Sequence, residues 1–269
     1  MVANSIHRDR SKTAEILRSH GLTPLRSILT PQVFRQAYPA TPPGKTILIP
    51  EVVFWMMALA ALGEGSMAGC VTCFWASLRA AMPWLPLRTV TEEAFTIARG
   101  KLPLRFFLLV FVHVKDAFSR QFDQRFRWKG LRLLGIDGMD VNLPRHPHLQ
   151  RIYPPAGNQH GNRGRPQGRL VGLVGLLDGV CYAFRWTSLH VSEQTSARRL
   201  LGNLSRGDLL LADRNFPDKN TLAGVRHQGA DFLFRLPSNR FLKLARTPTP
   251  SNRPDEWYAC IRLGKVLQK

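Results

Sequence analysis

A chain of 269 residues holds one or two domains, and a 44% hydrophobic content is enough for a folded core. Against 18 Asp and Glu stand 38 Lys and Arg, a net charge of +20 that suits a polyanion, nucleic acid above all, because each cation set on a phosphate releases counterions. The basic residues are spread over the whole length, not clustered beside an apolar helix as in a polybasic membrane anchor, and four scattered cysteines exclude a disulfide-dense scaffold.

The first segment, MVANSIHRDRSK, is polar and lacks the apolar centre of a signal peptide, so a cytoplasmic protein is expected. Ser11 to His20 fits a helix ended by Gly21, and Pro39, Pro42, Pro43 and Gly44 mark a loop. A helix is predicted from Pro50-Glu51 through VVFWMMALAAL, because proline in a first turn lacks only an N–H that has no helical partner. A second covers Ser66 to Ala81. Thr89 to Glu92 fits a capping box before AFTIARGKL, and Leu104 to Phe122 reads as a long apolar helix. The runs Val52–Leu62 and Phe106–Val112 fall short of the roughly 20 residues a membrane span needs. Residues 1–129 are therefore expected to be helical throughout.

The pattern changes at Leu131. Met139, Val141 and Leu143 alternate with Asp140 and Asn142, the period of a strand. Asp137 shares the parity of the apolar positions, which predicts that it faces the buried side, where an unpaired carboxylate is costly. A loop rich in Pro, Gly, Arg and His follows, from Pro144 to Gly168. LVGLVGLL and VCYAFRWTSL then read as a hairpin turning at Asp178-Gly179. A helix from Ser192 to Leu204, a buried strand LLLA (Leu209–Ala212) ending at Asp213, a helix from Lys219 to Gln228 and a strand from Asp231 to Leu236 complete the order β, β-hairpin, α, β, α, β. The fold class is thus a helical N-terminal region followed by a mixed α+β or α/β domain over residues 130–269.

Two acids stand out: Asp213, at the carboxyl end of its strand, where open α/β sheets carry chemistry, and Asp137, in the middle of an apolar strand. Carboxylates that converge from neighbouring strands can hold divalent metal for phosphoryl transfer. A plain N-cap is the alternative for Asp213, since Asp commonly opens a helix. Arg163, Arg165 and Arg169 read as phosphate contacts that position nucleic acid without reading its sequence, and Arg214, beside the second acid, fits a flanking phosphate. Solvated loop charge or a surface salt bridge is the bland alternative for these arginines. Cys70 and Cys73 have CxxC spacing but no second ligand pair, so they read as packing residues in a helix. His146, His148 and His160 lie in a loop without acids and read as solvated or phosphate-facing. Glu193 reads as a first-turn residue of its helix, and the Trp and Phe residues from Phe54 to Trp84 as core.

The strings GIDGMDVNLP, RLVGLVGLLDG, SEQTSARRLL and GDLLLADRNFPDKNTLAGVRHQGADFLFRLPS, with EVVFWMMALAALGEGSMAGCVTCFWASL and VTEEAFTIARGKLP upstream, resemble bacterial insertion-sequence transposases with an RNase H-like DDE domain. The resemblance spans about residues 30 to 240. It implies Mg²⁺-dependent cleavage and strand transfer at transposon ends, through in-line attack of water or a 3′-hydroxyl on phosphorus. Asp137 would be the first acid and Asp213 the second, with two metal ions between them. It also implies that residues 1–129 grip transposon-end DNA and that two ends are held together by a homodimer on DNA in the nucleoid. The family's third acid is a glutamate on a downstream helix, in a signature of tyrosine, arginine, glutamate and lysine. Tyr258 and Arg262 occur here without the glutamate, and Glu256 lies among prolines. Pro237 onward therefore reads as the start of an insertion cut short, before the final catalytic helix. That departure leaves a second expectation: a catalytically inactive DNA-binding remnant or regulator.

Overall fold

The computed structural model describes residues 28–39, 48–62, 69, 71–72, 75–76, 90–122, 124–155, 164–235, 249–250 and 257–258. The expected helix over 11–20, Cys70, Cys73, His160, Arg163, Glu256 and Arg262 lie outside them. The chain divides into two compact units, Met1–Ala117 and Phe118–Lys269.

The elements described in the first unit are all helices, as the sequence pattern predicts. Helix α1 (Pro31–Ala37) and α2 (Pro50–Leu62) both open on proline. Helix α3 (Glu92–Gly100) is capped by Thr91, whose hydroxyl accepts from Ala94 N at 3.3 Å. The cap thus sits two residues past the expected Thr89, and with Ala94 in the third position it is a simple cap and not the expected box. Starting at Glu92 puts both Glu92 and Glu93 in the first turn, where the helix dipole favours negative charge. Helix α4 (Leu104–Phe122) has the predicted bounds. Among the described residues of this unit Phe34, Trp55, Trp75, Phe95 and Phe106 are buried, and Phe34 lies 5.4 Å from Phe54, 6.0 Å from Trp55 and 6.2 Å from Phe106, centroid to centroid; Phe74 and Trp84 lie outside the described residues.

The second unit is built on a six-stranded mixed sheet. Its strands are β1 (Arg127–Trp128), β2 (Leu131–Asn142), β3 (Gln167–Gly175), β4 (Cys181–Ser188), β5 (Asp208–Ala212) and β6 (Asp231–Phe234), in the order β4-β3-β2-β5-β6 with β1 paired to β2. The β2-β3 and β3-β4 pairs are antiparallel, and β2-β5 and β5-β6 are parallel. The β3-β4 hairpin turns at the predicted dipeptide. Gly179 takes a positive φ of 70°, and the Asp178 carboxylate accepts from Val180 N at 2.9 Å and from the Tyr182 hydroxyl at 2.6 Å. Burial, then this donated bond, raises the Tyr182 phenol above its ordinary value. Short helix α5 (Pro147–Ile152) interrupts what sequence reasoning treats as loop. The helix expected over 192–204 is shorter: α6 (Glu193–Arg198), then a 3₁₀ turn at Leu201–Asn203. Helix α7 (Lys219–His227) follows β5, and a small antiparallel ladder joins β7 (Thr249–Pro250) to β8 (Trp257–Tyr258).

One face of this sheet is covered. Leu134, Ile136, Val171, Leu173 and Leu210 are buried there with Ala197, Leu200, Leu201, Leu204 and Val225 from the α6 and α7 segments. Removing one such leucine costs about 2–5 kcal/mol. The opposite face carries Met139 at 58% exposure and Leu233 at 63%, with Leu176 and Phe184 also exposed. Asp137 belongs to that open face and is exposed, contrary to the expectation that it is buried. The parity argument groups it correctly with Met139, but both faces of this sheet are apolar and the helices cover the other one.

The amino ends of β2 and β5 are locked together. Arg132 Nε and Nη2 donate to the two Asp208 oxygens, each at 2.8 Å, and Asp208 is 2% exposed. Ser205 N adds a third bond to Asp208 at 2.7 Å, and the Arg132 guanidinium lies over the Tyr182 ring at 4.5 Å. Burial works against the charge on Arg132, but the bonds and charge of Asp208 outweigh it and raise the guanidinium above its ordinary value.

Candidate active site

The register that pairs Arg132 with Asp208 continues through Leu133 with Leu209, Leu134 with Leu210 and Gly135 with Leu211. Two steps further along the same offset stand Asp137, in the middle of β2, and Asp213, one residue past the end of β5. Both line one concavity of about 830 Å³ on the open face, with Met139, Leu211, Leu233 and Arg235 among its walls. Both are exposed. One oxygen of each is engaged locally: Asp137 Oδ1 accepts from Gly138 N at 2.8 Å, and Asp213 Oδ1 accepts from Asn215 N at 2.8 Å. The latter is an Asx turn, and it separates Asp213 from the capping role. The N-cap of α7 is Asp218, which accepts from Thr221 N at 2.9 Å and takes an ion pair from Arg198 at 2.9 Å.

The turn after Asp213 is tied to α6. Asn215 Nδ2 donates to Glu193 Oε2 at 2.7 Å, and Gln194 Nε2 donates to Asn215 Oδ1 at 2.9 Å and to Asn215 O at 3.0 Å. Glu193 is the first-turn residue that its sequence position predicts, behind the Ser192 cap. Its carboxylate also lies against Gly138, where a Cβ would overlap Oε1. Asn215 and Gln194 escape sequence reasoning, because their contacts join residues 21 and 22 positions apart with no periodic signal.

The predicted arginines are placed differently from one another. Arg165 and Arg214 are exposed. Arg169 is held by Asp140, Nε to Oδ1 at 2.7 Å and Nη2 to Oδ2 at 3.0 Å. The hydrogen bond from Arg169 keeps the Asp140 carboxyl below its ordinary value. A phosphate reaching Arg169 must therefore compete with a bidentate carboxylate. His146 caps α5, its Nδ1 accepting from His148 N at 3.3 Å, and His148 Nδ1 lies 3.1 Å from Arg151 Nη2. Among the described residues, no three His, Cys, Asp or Glu side chains are grouped closely enough to hold a metal ion.

Residues 128–259 match the family model of the transposase DDE domain. This part of the chain belongs to that family. The DDE domain thus takes in the strands from β2 through β8 and both aspartates of the concavity. Its mixed sheet with flanking helices is the RNase H-like arrangement that the sequence leads one to expect, and the described N-terminal residues are helical. No curated protein matches the chain. Among the described residues, no helix is long and apolar enough to cross a membrane.

Proposed function

We propose that the chain is a DNA transposase that cleaves phosphodiesters at the ends of a mobile element and joins them to target DNA, with Asp137 and Asp213 as its Mg²⁺ ligands. The observation that carries this reading is that Asp137 and Asp213, each two residues past the last β2-β5 pair, line one concavity inside the matched domain. The donor set fits the ion. Each carboxylate has one oxygen, Oδ2, that no hydrogen bond among the described residues engages, and hard oxygen donors suit Mg²⁺. Mg²⁺ commonly takes only one or two protein carboxylates and keeps several waters. When bound, the metal supplies electrostatic stabilisation of charge on the reacting phosphate.

The remaining roles fall to the chain's own residues. Arg214 and Arg165, both exposed, are proposed to hold flanking phosphates, and Arg163 and Arg169 are proposed for the same role. The net charge of +20 favours DNA through a salt-sensitive, sequence-independent attraction. Residues 1–129 are proposed to grip element ends and residues 130–269 to perform the chemistry, on two ends paired by a homodimer in the nucleoid. The test is Mg²⁺-dependent cleavage of a supercoiled plasmid carrying an element end. D213N is expected to abolish cutting, and cutting by D213N at the wild-type rate contradicts the assignment.

A second reading has its own support. With only two carboxylates grouped among the described residues, the chain is a non-catalytic DNA binder that occupies element ends. That reading predicts salt-dependent binding of the same DNA with no nicking at any Mg²⁺ concentration.

A further inference from the structure

The geometry points to Glu193 as a positioning residue that, with Asn215 and Gln194, clamps the two metal-binding aspartates into register; the inference rests on the metal-binding reading of Asp137 and Asp213. Asp213 lies one residue beyond the last residue of β5, so strand pairing does not hold it. Its turn is solvent-facing, with Asp213, Arg214 and Asn215 all exposed, and the first buried anchor is Phe216 at 1% exposure. What holds Asp213 is Asn215, through the 2.8 Å bond from its amide to Oδ1. What holds Asn215 is the start of α6: Glu193 accepts from its Nδ2, while Gln194 donates to both its side-chain and backbone oxygens. Every polar group of Asn215 except its second Nδ2 proton is thereby engaged. An exposed asparagine with this many partners is fixed, and it presents Asp213 with Oδ1 occupied and Oδ2 free.

The same carboxylate of Glu193 reaches the first acid. Its Oε1 occupies the space that a Cβ on Gly138 would fill, next to Asp137 in β2. Glu193 therefore touches the residue after one aspartate and bonds the residue two after the other. Strand pairing between β2 and β5 ends at Gly135 and Leu211, short of both acids; β2 continues beside β3, and Glu193 supplies a link from it to the turn after β5. Gly138 permits the approach, and Asn215 converts it into an orientation for Asp213. The Glu193 charge also supports Arg169, which holds Asp140 on the same strand.

The experiment measures Mn²⁺ binding by electron paramagnetic resonance, and Asn215 amide exchange in metal-free protein, on the full chain and six variants. Loss of a group that orients a metal ligand typically weakens metal binding about tenfold to a hundredfold. E193A and N215A are expected to fall in that range, and E193Q, whose amide oxygen can still accept from Asn215, to restore binding to within about threefold of wild type. G138A is expected to match E193A, and the G138A/E193A double variant to be no worse than either single change. Amide exchange at Asn215 is expected to accelerate in E193A and not in E193Q, with the unfolding midpoint of both unchanged. Wild-type binding and exchange in E193A overturn the clamp, and so does E193Q as weak as E193A, since that makes the charge and not the hydrogen bond the active property. If the wild type binds no Mn²⁺, or D213N binds it equally well, the metal reading fails, and the exchange data alone then decide whether the clamp exists.

Discussion

The two ends of the β2-β5 pair carry the same residue type in opposite circumstances. At the amino end Asp208 is buried, bonded by both arms of Arg132 and by Ser205 N, and stacked close to Tyr182 through its partner arginine. Beyond the paired stretch Asp137 and Asp213 line one concavity, exposed, with no ion pair to either among the described residues. The first acid is satisfied within the fold and holds two strands together. The other two set like charges side by side, an arrangement that folding alone does not reward and that a divalent cation relieves. One ladder thus separates an acid that serves stability from acids available for chemistry.

The largest effect that would break this contrast comes from the buried end. R132A leaves Asp208 unpaired in the interior and is expected to cost about 3–5 kcal/mol in denaturant unfolding. D137N and D213N, by contrast, are expected to stay within about 0.5 kcal/mol of wild type in the same measurement while removing metal-dependent activity. A loss of several kcal/mol in either asparagine variant would make these acids structural. Next in size is D218A, which removes the α7 cap and its half-exposed pair with Arg198, an expected loss of about 1 kcal/mol read by thermal unfolding. The smallest concerns Arg169 and Asp140, a pair worth under about 1 kcal/mol at its exposure. Because the folded Asp140 carboxyl lies below its ordinary value of 3.8, the pair stabilises above that pH and its contribution is lost as pH falls through the lower, folded value. The stability difference between wild type and D140N should accordingly shrink between pH 7 and pH 3.

Much of this was legible in the residues themselves. The bounds of α2 and α4, the Asp178-Gly179 hairpin and the strand preceding Asp213 all follow from periodicity, proline at helix starts and turn chemistry. The strand pattern puts Asp137 inside one strand and Asp213 at the carboxyl end of another, as found. What escaped had a common cause. Asp137 was assigned to the wrong environment because an apolar alternation identifies a face without saying which face the helices cover. The Asp208-Arg132 pair and the Glu193-Asn215 contact join residues 76 and 22 positions apart, and no local pattern encodes either. The helix at Pro147–Ile152 was hidden because Pro and His dominate a composition that otherwise signals loop.

The central claim is that Asp137 and Asp213 share one ion, and a double-mutant cycle on Mn²⁺ affinity tests it most directly. The account predicts that D137N, D213N and the double variant lose binding to the same extent, because either carboxylate alone leaves the ion half held. Losses that simply add, or a single variant that binds as the wild type does, would place the two acids at separate sites and contradict it.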